Sequence, residues 1–382
     1  MNKTIKVRLE PNNIQKTMMK KSLGISRFAY NWALNKQQEN YKENGKFLNN
    51  YDMRKEFTIF KSLEENNWLY EVSCDIPKQA IKDAERAFIN FFKKKSFYPK
   101  FKSKKNNMQS FFQDTFKFKV NESKVYLSNI GWVKLSEKNK IPIGHGKDLH
   151  FKNIRITYDK ENWYISVGIE CENQAFKKFT YGIGIDLGIK DLAICSDGYV
   201  YKNINKQSHV KKIEKKKHRL QRILSRKYEM NKKGDSYCKT SNIIKLEKSL
   251  LKINHHLRNI RKDYINKITT EIIKRKLSFI TIEELNISGM MKNKHLSKQI
   301  ANQCLYEFIK QLKYKASWYG IELRQVDRFY PSSKICHNCG TIKHDLKLKD
   351  RIYKCDCGYI EDRDYNASLN LKDCETYKVL AL

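Results

Sequence analysis

Apolar and basic side chains alternate at the start of the chain. Ile5, Val7 and Leu9 face one way, which predicts a strand over residues 3–9, broken by Pro11-Asn12-Asn13. From Ile14 to about Tyr41 the apolar spacing becomes helical, with Phe28, Trp32 and Leu34 in the stripe and an interruption at Gly24. Further helix is predicted to about Phe92, where Ile81, Ala84, Phe88 and Phe92 fall on one face. Residues 110–170 turn strand-rich: Ile154 and Ile156, the turn DKEN and then WYISVGIE read as a hairpin. Together with the first strand they are expected to form a small β-barrel, with the helices of 14–92 inserted. Past Thr180 the pattern is that of a buried sheet, with strands at YGIGIDLG, 191–196 and 200–202. Two long helices follow to about Arg275, then a strand at 277–282. A helix over 297–319 carries Ile300, Cys304, Phe308 and Leu312 on its stripe, with Ser297 as N-cap and Gly320 as stop; a strand at 321–326 closes the series.

Charge changes this picture of an ordinary α/β chain. Among 382 residues, 77 Lys and Arg face 41 Asp and Glu, an excess of 36 positive charges. Codon bias explains Lys in place of Arg but not the scarcity of acids, so a polyanionic partner is expected. With 40% hydrophobic and 12% aromatic residues there is material for real cores, which excludes wholesale disorder. No run of about 18 apolar residues spans a membrane. The start lacks the apolar core of a secretory signal, so a cytoplasmic location is expected. The basic excess is concentrated. Lys93, Lys94, Lys95, Lys100, Lys102, Lys104 and Lys105 are interleaved with Phe97, Tyr98 and Phe101, as suits a surface that follows phosphates and stacks on bases; a solvated linker reads equally well. Positions 202–233 hold 13 Lys and Arg against two acids. Lys211, Lys212, Lys215, Lys216, Arg219 and Arg222 on that helix make a nucleic-acid groove the better reading than a merely solvated face.

Three places can supply carboxylates to a common centre. In the strand Gly182–Asp186, Gly182, Gly184 and Asp186 share a face, and the glycines leave room there for a metal and a phosphate. In FITIEEL, Thr281 and Glu283 lie opposite the packed Ile280 and Ile282, which favours Glu283 over Glu284 unless a bulge intervenes. In EDRDYNASLNL, Asp364 sits at or near a helix N-cap and could simply cap, with Asp362 the competing ligand. Three acids from separate elements, without His or Cys, suit a pair of Mg²⁺ or Mn²⁺ ions roughly 4 Å apart, the arrangement that serves phosphodiester displacement. Zinc is disfavoured at such a centre.

The cysteines point to a second site. Cys336-x₂-Cys339 and Cys355-x-Cys357 are separated by 15 residues, each pair with a glycine after it, a spacing that matches a closed structural Zn²⁺ site. A ribbon of about 25 residues has little core of its own and needs the metal to fold. His337 and His344 could substitute as ligands. Cys74, Cys171, Cys195, Cys238, Cys304 and Cys374 read as ordinary thiols.

Taken in order, GIDLGIKDLAICSDG, IEELNISGM, RFYPSSKICHNCG, YKCDCG and DRDYNASLN resemble the TnpB family of transposon-encoded, OrfB-type proteins related to type V CRISPR effectors. SRFAYNWAL and FYPKFKSKKN extend the likeness to the N-terminal half. The resemblance implies an RNA-guided DNA endonuclease, multidomain α/β, with an RNase-H-like (RuvC) nuclease domain interrupted by a zinc ribbon. It assigns the acidic triad to Asp186, Glu283 and Asp364. The expected domains are a β-barrel (1–10 and 106–178), a helical module (11–105), the nuclease (179–331 and 361–382) and the ribbon (332–360). Expected partners are a guide RNA from the transposon end and a double-stranded DNA target with a short flanking motif. Some relatives that have lost triad acids act as RNA-guided repressors. A non-cutting DNA-binding regulator and a transposase or its accessory protein are the alternatives.

Overall fold

The structure, a computed structural model, describes residues 2–105, 108–143, 150–159, 161–170, 181–347 and 350–380. The chain divides into two compact units, residues 1–172 and 173–382.

The first unit opens with strand β1 (Asn2–Glu10), followed by helices α1 (Asn13–Asn44), α2 (Asn50–Ser62) and α3 (Asp75–Phe92). Strands β2 (Gln109–Phe112), β3 (Lys119–Val120), β4 (Lys124–Leu127), β5 (Gly131–Leu135), β6 (Phe151–Tyr158) and β7 (Trp163–Glu170) complete it. The seven strands form an antiparallel sheet in the order β2-β6-β7-β1-β5-β4-β3. Among the described residues no pairing joins β2 to β3, so the expected barrel is seen as a sheet of open order. The alternation read in the sequence places Val7 and Leu9 in the core with Ile156, Ile165 and Val167. Asn12 and Gln15 form a reciprocal capping box at the start of α1. That helix then runs unbroken through Gly24, where an interruption was expected. Leu23, Ile25, Ala29, Tyr30, Ala33 and Leu34 are buried along it, and their burial outweighs the roughly 1 kcal/mol that an internal glycine costs. Phe92, expected on the stripe of α3, is exposed; Ile81, Ala84 and Phe88 carry the packing.

The second unit is built on a six-stranded mixed sheet. Strands β8 (Ile183–Leu187), β9 (Asp191–Cys195) and β10 (Val200–Lys202) form an antiparallel meander. Helices α4 (Ser208–Met230) and α5 (Ser241–Lys274) are joined through a two-stranded turn, β11 (Lys232–Lys233) with β12 (Ser236–Tyr237). Strand β13 (Phe279–Glu283) then pairs parallel to β8. After the short helices α6 (Ile287–Met290) and α7 (Ser297–Gln303), α8 (Leu305–Tyr319) leads into β14 (Glu322–Val326), parallel to β13. Strands β15 (Ile352–Lys354) and β16 (Ile360–Asp362) form the ribbon hairpin. Helix α9 (Arg363–Lys372) and edge strand β17 (Lys378–Val379) end the described chain.

Ile183, Ile185, Ile280, Ile282 and Leu323 pack with Ile265, Ile268 and Ile272 of α5 and with Leu305, Phe308 and Leu312 of α8. Helix α9 covers the opposite face of β8, so the sheet lies between two helical layers. Two helices, not one, span 297–319. Cys304 takes a left-handed conformation (φ +57°, ψ +38°) and separates α7 from α8. Ser297 is the first helical residue and Leu296 stands at the cap position without a side-chain bond, while Gly320 stops α8 as expected. Among the described residues no helix is long and apolar enough to cross a membrane.

Candidate active site

Asp186 and Glu283 come together through strand register. In the β8–β13 ladder Ile185 stands opposite Ile282, so Asp186 and Glu283 follow one residue later on neighbouring parallel strands. Alternation turns both away from the isoleucine core toward α9. Gly184 explains how close that helix lies: a Cβ there would fall 2.0 Å from the carbonyl oxygen of Ser368 and 2.4 Å from the amide of Lys372. The space cleared by this glycine is therefore filled by the α9 backbone, not reserved for a metal and phosphate as expected from sequence. The glycine brings the helix, and Asp364 with it, down onto the strand that carries Asp186.

The cap position goes to Asp362. Its carboxylate accepts from the amides of Asp364 (2.9 Å) and Tyr365 (3.1 Å), so the Asp364 carboxylate, two residues further in, does no capping. Asp364 is instead held by Arg363 at 2.9 Å and approached by Arg351 at 3.6 Å. Glu284, the rejected acid of the FITIEEL pair, is bonded to Arg328 at 2.9 Å.

The charges of the two other candidate acids reach Asp186. Burial pushes the Asp186 carboxyl up to about 7; the charges of Asp364 and Glu283 add to the rise, and Arg363 opposes it. Burial also raises Glu283. Carboxylates that repel one another are a hard, oxygen-only donor set of the kind that suits divalent cations of the Mg²⁺ type, although among the described residues the four cysteines, and not these acids, are gathered closely enough to hold an ion as they stand.

The cysteine site is compact. The four Sγ atoms of Cys336, Cys339, Cys355 and Cys357 lie within 4.8 Å of one another, with Cys336–Cys357 at 3.7 Å and Cys339–Cys355 at 3.6 Å. A tetrahedron with Zn–S bonds of 2.3 Å has edges of about 3.8 Å, so the cluster is compatible with zinc. Each knuckle closes on a glycine of positive φ, with the amide of Gly340 bonded to the Cys336 carbonyl and that of Gly358 to the Cys355 carbonyl. Beneath them Tyr353 is fully buried and donates its hydroxyl to the carbonyls of Lys334 and Thr341. His337 and His344 take no part in the cluster among the described residues. Of the other thiols, Cys195 and Cys374 are buried, Cys304 is half-buried, and Cys74 and Cys238 are exposed. Cys171 lies outside the described residues.

Sequence reasoning missed Asn366 and Asn370. Both are buried on α9 and both bond the backbone of the first knuckle. Their signal was available: two asparagines four residues apart inside a helix, where asparagine is unfavourable unless its amide is engaged.

The basic residues divide into exposed and committed sets. Lys93, Lys94, Lys95, Lys100, Lys104 and Lys105 are exposed, beside the fully open ring of Phe97. Lys102 is exposed too, but it is committed. Its ammonium lies 3.6 Å from the centre of the Tyr30 ring, Asn31 bonds its backbone on both sides, and burial holds its pKa below the ordinary lysine range. On α4, Lys211, Lys212, Lys215, Lys216, Arg219 and Arg222 are all exposed. At 100° per residue they occupy a single stripe, which Arg226, overlooked in the sequence, extends. Lys217 turns instead to Glu214 within α4, and Arg261, at 2.6 Å from the same carboxylate, ties α4 to α5.

Comparison with known proteins accounts for most of these segments. The OrfB_IS605 family model, described as "Probable transposase", matches residues 165–294, and its companion, described as "Helix-turn-helix domain", matches residues 1–46. A curated Escherichia coli K12 protein, "Putative RNA-guided DNA endonuclease InsQ", is 29% identical over 96% of this chain and 90% of its own length. These matches support a TnpB-family protein. A "Putative RNA-guided DNA endonuclease" of Streptomyces pristinaespiralis is likewise 29% identical, over 97% of this chain and 88% of its own. A third model, "Cas12f1-like, TNB domain", matches residues 306–371, which include the cysteine cluster. The fold is shared with the protein of a Cas12f1–sgRNA–target DNA complex, at a TM-score of 0.59 and 16% identity over 99% of both chains. The segment matched by the helix-turn-helix model holds β1 and the single 32-residue helix α1.

Proposed function

We propose that this chain is a transposon-associated, RNA-guided DNA endonuclease. Its second unit, an RNase-H-like nuclease with an inserted zinc ribbon, hydrolyses phosphodiester bonds. The observation that carries this reading is the register that sets Asp186 and Glu283 on the same face of neighbouring strands β8 and β13, with α9 packed at Gly184 bringing Asp364 toward them. It is supported by nearly full-length likeness to relatives named as RNA-guided DNA endonucleases.

In this reading Asp186, Glu283 and Asp364 hold the catalytic cations, Mg²⁺ or Mn²⁺, and Cys336, Cys339, Cys355 and Cys357 hold one structural Zn²⁺. When bound, a pair of divalent cations stabilises both the attacking and the leaving oxygen of an in-line displacement. Asp186 and Glu283 are fixed by the sheet and Asp364 by its helix, so the ligands are oriented before substrate arrives. Arg363 and Arg351 neutralise part of the acid charge on the Asp364 side. The exposed stripe of α4 and the lysines of 93–105 neutralise phosphates of the RNA or of its hybrid with the target. The first unit holds the guide RNA, made from the transposon end, and reads the short motif beside the target. Base pairing reads the remaining sequence.

The test is to express the protein with its native flanking DNA and sequence the RNA that copurifies. A discrete RNA should direct Mg²⁺-dependent cutting of a matching duplex. Asp186→Ala should abolish cutting while the RNA and target remain bound. Cellular RNA without a discrete species, with the flank confirmed as transcribed, would sink the guided reading. Cutting that survives Asp186→Ala would sink the catalytic assignment.

A further inference from the structure

Helix α9 is held on two opposite sides. Toward the sheet, Ser368 and Lys372 press against Gly184 of β8. Toward the ribbon, Asn366 and Asn370 lie one turn apart on a common stripe. Asn366 is fully buried and uses both ends of its amide: Nδ2 donates to the Ile335 carbonyl at 2.7 Å, and Oδ1 accepts from the His337 amide at 3.2 Å. Asn370 donates to the carbonyls of Ser332 (2.7 Å) and Ile335 (2.8 Å). Ile335 and His337 flank Cys336, the first thiolate of the ribbon.

Asp364 stands two residues before Asn366, about 200° around the helix, on the stripe it shares with Ser368. Any rotation of α9 that moves Asp364 away from the sheet must therefore break the Asn366 bonds on the far side. Slippage by one residue, about 100° and 1.5 Å, would do so completely. At the front end there is no slack either, because β16 ends at Asp362 and that residue caps the helix.

We propose that Asn366, seconded by Asn370, is a positioning residue that sets the rotation and register of α9 from the zinc-ribbon knuckle and so holds Asp364 beside Asp186 and Glu283. The thiolate site and the carboxylate site form one mechanical unit: the folded knuckle gives the acidic centre its third ligand. This rests on the reading of the three acids as a divalent-cation site.

Mn²⁺ alone serves as the probe, on the full chain. Asn366→Asp keeps the acceptor for the His337 amide but turns a carboxylate oxygen toward the Ile335 carbonyl, at almost unchanged volume. It should retain one zinc per chain, bind Mn²⁺ about 10- to 100-fold more weakly, and exchange the amides of α9 faster, with β1 and β7 protected as before. Wild-type Mn²⁺ affinity and wild-type α9 protection in zinc-loaded Asn366→Asp overturn the proposal. Should that variant lose zinc, Asn366→Ala, which removes both bonds without facing a charge to the Ile335 carbonyl, makes the same comparison, with the same result counting against the proposal. Equal Mn²⁺ binding by wild type and Asp186→Ala would instead remove the acid-site reading itself, and this inference with it.

Discussion

A methyl group is enough to test how closely the second unit is assembled. At Gly184 a new Cβ meets backbone atoms of α9 at 2.0 and 2.4 Å, and neither can rotate away as a side chain could. Gly184→Ala should destabilise the unit by at least about 1–3 kcal/mol, as overpacking does, and should lower affinity for Mn²⁺; thermal unfolding and Mn²⁺ titration check the two effects. Lys315 offers a test of opposite character. Its ammonium is buried against four oxygen acceptors, the carbonyl and side chain of Asn266 and the hydroxyls of Thr269 and Thr270. Burial lowers its pKa to about 8. Below pH 8 the folded and unfolded chains both carry this proton; between about 8 and 10.5 the unfolded chain alone keeps it, so this group makes stability rise with pH across that window. Lys315→Met should abolish that rise, and the difference between the two stability-versus-pH curves isolates it. At this scale the sequence was legible wherever strand alternation applied, which is why Asp186 and Glu283 could be separated from their neighbours. It was not legible where a residue's partner lies far along the chain. Lys102 looked like another phosphate ligand until Tyr30 and Asn31, some 70 positions earlier, claimed it.

Among the elements, the long periodic ones were read most directly. β1, the α4–α5 hairpin and the parallel strands β8, β13 and β14 follow from apolar spacing, because each buries one regular face. Interruptions were read less well. Gly24 marks no break in α1, since the packing on both its sides continues. Cys304 breaks a helix whose apolar stripe runs on without a sign of it. There the Gln303 side chain is drawn inward to the Gly188 carbonyl at 3.0 Å, a tertiary bond that periodicity cannot reveal. The α4 stripe carries a prediction of its own. If Arg219 and Arg222 each neutralise a phosphate, the double change Arg219→Gln/Arg222→Gln should weaken binding of all RNA sequences alike. It should also reduce the slope of log affinity against log salt by about 2. Binding measured at several salt concentrations checks this, and an unchanged slope would place the nucleic acid elsewhere.

For the molecule as a whole, two units with separate cores predict two separable stabilities. Only the second contains the four-cysteine cluster, and on the proposed function its ribbon depends on zinc for its fold. A zinc chelator should therefore lower one unfolding transition and leave the other in place, as calorimetry with and without chelator can show. A single transition that shifts as one would contradict that independence. The division near residue 172 was visible in the sequence as a change of pattern at about Thr180. The open order of the first sheet was not visible, because alternation records which side of a strand is buried and nothing about which edges meet.

If Asp186 and Asp364 are both metal ligands, their order along the chain sets when a working site can first exist. Between them lie four further strands of the sheet, the basic hairpin and the whole ribbon, a separation of 178 residues. At about 5–20 residues per second, a ribosome takes roughly 10–35 s to cover that distance, and the first unit has been made before it starts. On the proposed function, the nascent polypeptide can already gather its RNA throughout that interval, while the DNA around it is exposed to no working blade. An unfinished copy is a harmless one.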